Sequence, residues 1–239
     1  MIRTVTRTIG LLALGLALAA PASAQPVQSL HLGVGVFSPR GFDSRVEGDV
    51  LVENLTTFEP LLFRIEDFRN ANVLGEWQVA FGDRVEVAAG VGYYSESVPS
   101  VYRELIDQDG TEITQDLKLR IVPITGVVRF MPFGRASDIQ PYVGAGIGAF
   151  NWRYTESGEF VDTFDFTIFE DRFVASGTDF GPVVLGGVRI PLGGDIYGLT
   201  LEYRYQIAEG ETGGFDNGFL ADAIDLSGGN FNVGFLIRF

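Results

Sequence analysis

Residues 231–239 read Phe-Asn-Val-Gly-Phe-Leu-Ile-Arg-Phe, and their alternation decides the fold. Phe231, Val233, Phe235, Ile237 and Phe239 fall on one face of an extended chain, with Asn232, Gly234, Leu236 and Arg238 on the other. Successive side chains of a β-strand point to opposite faces, so this is a strand with one apolar and one polar side. The segment before it repeats the pattern: Leu199, Leu201, Tyr203, Tyr205 and Ile207 oppose Thr200, Glu202, Arg204, Gln206 and Ala208.

Working outward gives strands at 29–37, 73–81, 84–97, 113–130, 140–154, 178–192, 196–208 and 225–239. Their connections alternate in length. Short ones carry Gly82-Asp83, Pro132-Phe133-Gly134-Arg135 and Gly193-Gly194-Asp195, whereas the others run roughly 15 to 35 residues. A soluble β-sandwich also alternates, but short turns at one end and long loops at the other are the pattern of outer-membrane barrels. In hydrocarbon an unpaired backbone group costs several kcal/mol, so the sheet must close. The expected fold is all-β: an eight-stranded antiparallel up-and-down transmembrane β-barrel with short periplasmic turns and long extracellular loops.

The individual strands vary in clarity. The third sets Val85, Val87, Ala89, Val91 and Tyr93 against Arg84, Glu86, Ala88, Gly90 and Gly92. In the second, Trp77, Val79 and Phe81 oppose Glu76, Gln78 and Ala80. In the first, Leu30, Leu32, Val34 and Val36 oppose His31, Gly33, Gly35 and Phe37. The fourth begins with Leu117, Leu119 and Ile121 opposite Lys118 and Arg120, then ends with Val128 and Phe130 opposite Arg129. That is a slip of phase, and a bulge at Pro123 is expected to absorb it. The fifth, with Gly144, Gly146 and Gly148 on one face and Asn151 and Arg153 on the other, does not declare which side is inward.

Residues 1–24 read as a cleaved signal peptide: Arg3 and Arg7, an apolar run from Ile9 to Ala19, and the small residues Ala22 and Ala24 before Gln25. Residues 25–239 are then one outer-membrane barrel domain. Losing two arginines from 17 basic and 31 acidic residues leaves 15 against 31, a formal −16. So acidic a chain is no partner for nucleic acid, whose phosphates need a basic face. An exported chain with no cysteine has neither a disulfide framework nor thiol chemistry.

Val122-Pro123-Ile124 to Phe130, Pro141-Tyr142-Val143-Gly144-Ala145-Gly146-Ile147-Gly148 and the terminal Asn232-Val233-Gly234-Phe235-Leu236-Ile237-Arg238-Phe239 together resemble the OmpA/OmpW-like small outer-membrane barrel family. The resemblance implies a location in the bacterial outer membrane, contact with its lipid and lipopolysaccharide, and insertion by the barrel-assembly machinery. In that family a C-terminal aromatic is the assembly signal, and Phe239 matches it. It also implies a structural or narrow passive-uptake role.

An eight-stranded lumen is just wide enough to be filled by side chains. Charges facing it must pair, because an isolated buried charge is prohibitive. The expected lumen network is Glu76, Glu86, Lys118, Arg120, Arg129, Arg153, Arg189, Glu202, Arg204 and Arg238. No catalysis is expected. His31, the single histidine, falls at the start of the first strand, a membrane thickness from an outer-leaflet substrate, and no G-x-S-x-G elbow exists. The Gly-x-Gly spacings precede no helix, so no cofactor is implied. The Asp107-Gln108-Asp109-Gly110-Thr111-Glu112 turn lacks the remaining ligands of a calcium loop. In the first long loop, Pro60 is expected to open a helix placing Leu61, Ile65 and Phe68 on one face, as a cap over the lumen. The alternative role is surface interaction or adhesion to an unknown extracellular ligand, through acidic aromatic loops such as Phe160–Asp171; a lipid-modifying enzyme is a distant third.

Overall fold

The computed structural model describes residues 26–57, 59–162, 165–193 and 196–239. The leader read at 1–24, and the turn residues Gly194 and Asp195, lie outside them. Eight strands close into an antiparallel barrel: β1 (Val27–Pro39), β2 (Asn70–Phe81), β3 (Val85–Ile106), β4 (Glu112–Phe130), β5 (Gln140–Val161), β6 (Ile168–Leu192), β7 (Tyr197–Gln206) and β10 (Gly228–Arg238). Each pairs with its neighbour in sequence, and β1 closes on β10 from Ser29↔Arg238 to Pro39↔Gly228. A small second sheet, β8 (Glu209–Glu211) with β9 (Ala223–Asp225), occupies the connection from β7 to β10.

Two of the expected long loops are largely strand. β3 and β4 continue to a turn at 107–111, and β5 and β6 pair all the way to Val161↔Ile168. The barrel therefore stands well above the bilayer on that side, since a strand needs only about 9–11 residues to cross.

The expected bulge at Pro123 does not form. β4 keeps one register against β5 from Gln115↔Gly158 through Pro123↔Phe150 to Phe130↔Val143. What changes at Pro123 is the solvent. Below it, Ile124, Val128 and Phe130 are exposed outward and Thr125, Val127 and Arg129 are buried inward. Above it, Lys118 and Asp116 are exposed outward and Leu117, Leu119 and Ile121 are buried inward. Hydrocarbon outside demands apolar side chains outward, and water outside demands the reverse; the alternation never breaks. β5 behaves the same way. Val143 and Ile147 face lipid, Asn151 and Arg153 face water, and Tyr142, Phe150, Trp152 and Tyr154 point inward throughout.

The first long loop caps the mouth, but its helix is not at Pro60. It spans Val50–Thr56, opened by Asp49, whose carboxylate accepts from Val52 N at 3.2 Å. Asp49 also pairs with Arg45 at 2.7 Å and accepts from Asp225 N at 2.6 Å, which ties the loop to β9. From Pro60 the chain is extended along the top of β3, with Arg103 N donating to Pro60 O at 2.9 Å, and then makes a 3-10 turn at Ile65–Phe68. Val50, Leu51, Leu61, Ile65 and Phe68 are buried against Phe37, Tyr94 and Leu119 in one apolar cluster. The upper barrel is filled largely by this apolar cluster.

Candidate functional site: the lumen at membrane level

Seven strands send polar side chains to one level of the bore. Arg129, on β4 and 1% exposed, lies at its centre. Its Nη2 donates to Glu76 Oε2 at 2.5 Å and to Glu202 Oε2 at 3.0 Å, and its Nη1 stands 3.5 Å from Glu86. Arg204 donates to Glu76 at 2.6 Å and to Glu202 at 2.8 Å. Arg189 forks onto Glu86 at 3.1 and 3.2 Å and reaches Gln78 Oε1 at 2.9 Å. Three guanidinium groups thus meet three carboxylates, joined across the bore by charge-assisted hydrogen bonds, the strong kind.

Tyr142, His31 and Thr200 complete the layer. Tyr142 OH donates to Glu202 Oε2 at 3.1 Å, and its ring lies 5.5 Å from the Arg129 guanidinium. His31 Nε2 is 2.7 Å from Thr200 Oγ1 and its Nδ1 3.4 Å from Glu76. Glycine makes the space: a Cβ on Gly234 would stand 2.1 Å from His31 Nε2, and one on Gly187 would stand 2.6 Å from the Tyr142 hydroxyl.

Glu76, Glu86, Arg129, Arg189, Glu202 and Arg204 are brought together as expected from the alternation. Lys118, Arg120 and Arg153 are not, and this corrects the reading of them as inward. They belong to the water-facing wall above Pro123, where Arg120 stands directly opposite Arg153. Arg238 keeps the inward parity but sits half-buried at the periplasmic end of β10, and Phe239 is exposed beyond it. Gln78, Tyr142, Thr200 and His31 were not in the expected network. Gln78 was findable, being two residues from Glu76 on the same face. Tyr142 was hidden by the unassigned face of β5.

Among the described residues no cluster of three or more His, Cys, Asp or Glu is arranged to hold a metal. The Asp107–Glu112 turn is closed on itself, Asp109 accepting from the backbone and hydroxyl of Thr111.

The fold is shared with a solved outer-membrane barrel. OprG of Pseudomonas aeruginosa superposes with a TM-score of 0.53 at 13% identity, covering 90% of this chain and 96% of that one. Ail of Yersinia pestis, solved with the heparin analogue sucrose octasulfate, gives 0.44 at 11%, covering 90% and 100%. Neisserial surface protein A gives 0.44 at 12%, covering 89% and 97%. No curated protein matches the chain in sequence. The family described as outer membrane protein beta-barrel domain matches residues 9–239, nearly the whole chain. The chain closes into an eight-stranded barrel with an apolar outer band and a charged bore, and it belongs to this family, as a barrel of the bacterial outer membrane.

Proposed function

We propose that this barrel does not conduct, serves a structural role within the membrane, catalyses nothing, and presents its extracellular half as an interaction surface. One observation carries the reading: the Arg129, Arg189 and Arg204 guanidiniums are bonded to Glu76, Glu86 and Glu202 across the full bore, each nearly inaccessible to solvent. Narrow passive uptake would require that layer to part, and separating a buried pair leaves an uncompensated charge at about 3–5 kcal/mol.

A second observation supports the surface role. The strands continue far above the lipid around a largely apolar, capped core, more structure than a membrane plug requires. Lys118, Arg120 and Arg153 stand on the outward wall just above the apolar band. Like charges opposite each other on neighbouring strands are destabilising unless an anion joins them, and phosphates of the outer-leaflet glycolipid meet that height. Phe239 acts as the assembly signal.

Planar-bilayer conductance of the purified protein tests the closed bore. Wild type is expected to give no stable channels. Large, steady channels whose ion selectivity shifts in Glu202→Ala overturn it in favour of passive uptake. Turnover of lipid A or phospholipid that vanishes in His31→Ala overturns the absence of catalysis.

A further inference from the structure

Every buried carboxylate at the membrane level of the bore has an arginine partner. Glu156 does not. It lies on β5 well above Pro123, at a height where the barrel exterior is polar, and it is 4% exposed. Asn54 of the loop helix donates to it at 2.6 Å and Tyr154 OH at 2.9 Å, and both bonds fall on Oε1. No salt bridge reaches it among the described residues. Burial pushes its carboxyl up to about 7, against the pull of those two hydrogen bonds.

The carboxyl lines a pocket of about 310 Å³ in the extracellular mouth. Its apolar walls are Phe160, Phe169, Phe173, Phe215 and Phe219, with Leu61 from the first loop. The rings touch in series: Phe160 to Phe173 at 4.8 Å edge-on, Phe160 to Phe169 at 5.9 Å, Phe173 to Phe219 at 6.3 Å. Glu59 and Asp162 also line it, with Tyr102 and Gln115, and among the described residues no Lys or Arg does.

We propose that this pocket binds a small organic cation, an ammonium carried on an apolar or aromatic body, with the charge on Glu156 and the body among the phenylalanines. An anion would meet three carboxylates. A calcium or magnesium ion needs six or more oxygen ligands, and these walls are carbon. An ammonium suits both features, since a carboxylate neutralises it and aromatic ring faces attract it. The pocket's size and its few polar groups in an apolar lining are those of small-molecule sites. The chain's acidic balance raises the local concentration of cations at the mouth.

The inference rests on the extracellular half being a binding surface, and its test is separable from that of the closed bore. Phenethylammonium and its neutral counterpart 2-phenylethanol are titrated calorimetrically into the folded protein in an uncharged detergent at pH 8. Phenethylammonium is expected to bind at least about tenfold more tightly, the margin of one charge-assisted hydrogen bond in a buried site. Glu156→Gln, checked for folding by its unboiled gel mobility, is expected to erase the margin while leaving 2-phenylethanol unchanged. Should that variant misfold, Phe173→Leu is expected to weaken both probes. Equal binding of the two by wild type, no binding of either, or a margin that survives Glu156→Gln overturns the proposal. Conductance recorded on the same preparation reports on the bore alone, so channels would sink the closed barrel and leave the binding result standing.

Discussion

The lower and upper halves of this barrel are inverted copies of one another in polarity. Around Arg129 the interior is charged and the exterior apolar; around Leu119, ten residues up the same strand, the interior is apolar and the exterior charged. One uninterrupted register serves both. The β-alternation therefore fixes only that neighbours face opposite ways. The surroundings decide which face is apolar, and they change at the lipid–water boundary near Pro123. The lower half is held by paired charges that need their partners, the upper mainly by apolar packing around a loop cap.

The largest break in that comparison should come from Glu202→Ala, which leaves Arg129 and Arg204 sharing Glu76, one buried cation short of a partner, and should cost about 3–5 kcal/mol. Urea unfolding in lipid vesicles measures it, and a loss under about 1 kcal/mol would mean the bore is wetter than it looks. Leu119→Ala in the upper core should cost about 2–5 kcal/mol through the cavity it leaves. Lys118→Ala, one residue away and facing water, should cost little by the same measurement. Leu201→Arg places a charge on the lipid face and should cost about 2–4 kcal/mol near the midplane, with Tyr203→Arg milder because it lies nearer the upper boundary. If Leu201→Arg costs no more than Leu201→Ala, the assignment of faces is wrong.

Glu156 offers a smaller, pH-dependent effect confined to the upper half. Its folded carboxyl titrates near 7, above its ordinary 4.5, so the folded state holds the proton more tightly. The stability it contributes is complete below about pH 4.5 and is lost as the pH rises through 7. The slope for one group is at most about 1.4 kcal/mol per pH unit. Hydrogen exchange of the loop helix between pH 5 and 8 should show it, and Glu156→Gln should flatten it. Smallest is Arg153→Leu, which should move stability in uncharged detergent by less than about 1 kcal/mol. The same change should loosen co-purified lipopolysaccharide; undiminished lipid would show that the basic wall does not hold it.

How much the sequence disclosed follows from the same inversion. β7 and β10 end close to the boundary, so Leu201 and Phe231 face lipid along with the rest of their faces, and both strands were plain. β4 and β5 cross it, and a change of solvent looked like a change of phase. That error sent Lys118, Arg120 and Arg153 inward. Glu76, Glu86, Arg129, Arg189, Glu202 and Arg204 were legible because each lies below the boundary, where a charge on an alternating strand has only the bore to enter. The loop helix was misplaced because Pro60 outweighed Asp49, a better opening residue followed at once by Val50 and Leu51. The pocket around Glu156 was not legible at all, since its walls come from β5, β6, the first loop and the last, far apart in the chain.

The span of the charge layer bears on the order of assembly. Arg204 and Glu76 are 128 residues apart, and Arg129 joins Glu76 across 53 and Glu202 across 73. None of these bonds can form within a hairpin: they join β2 to β4, β4 to β7, and β7 to β2, the last pair being brought together through the β1–β10 seam. Arg129 can meet Glu86 in the β3–β4 hairpin and Arg204 can meet Glu202 on β7, but until the seam closes Glu76 lacks Arg204, so the inner surface of a half-made sheet has to remain wet there while its outer surface enters lipid. Expulsion of that water belongs to the final step, and the charge layer works as a latch that sets only once the ring is complete.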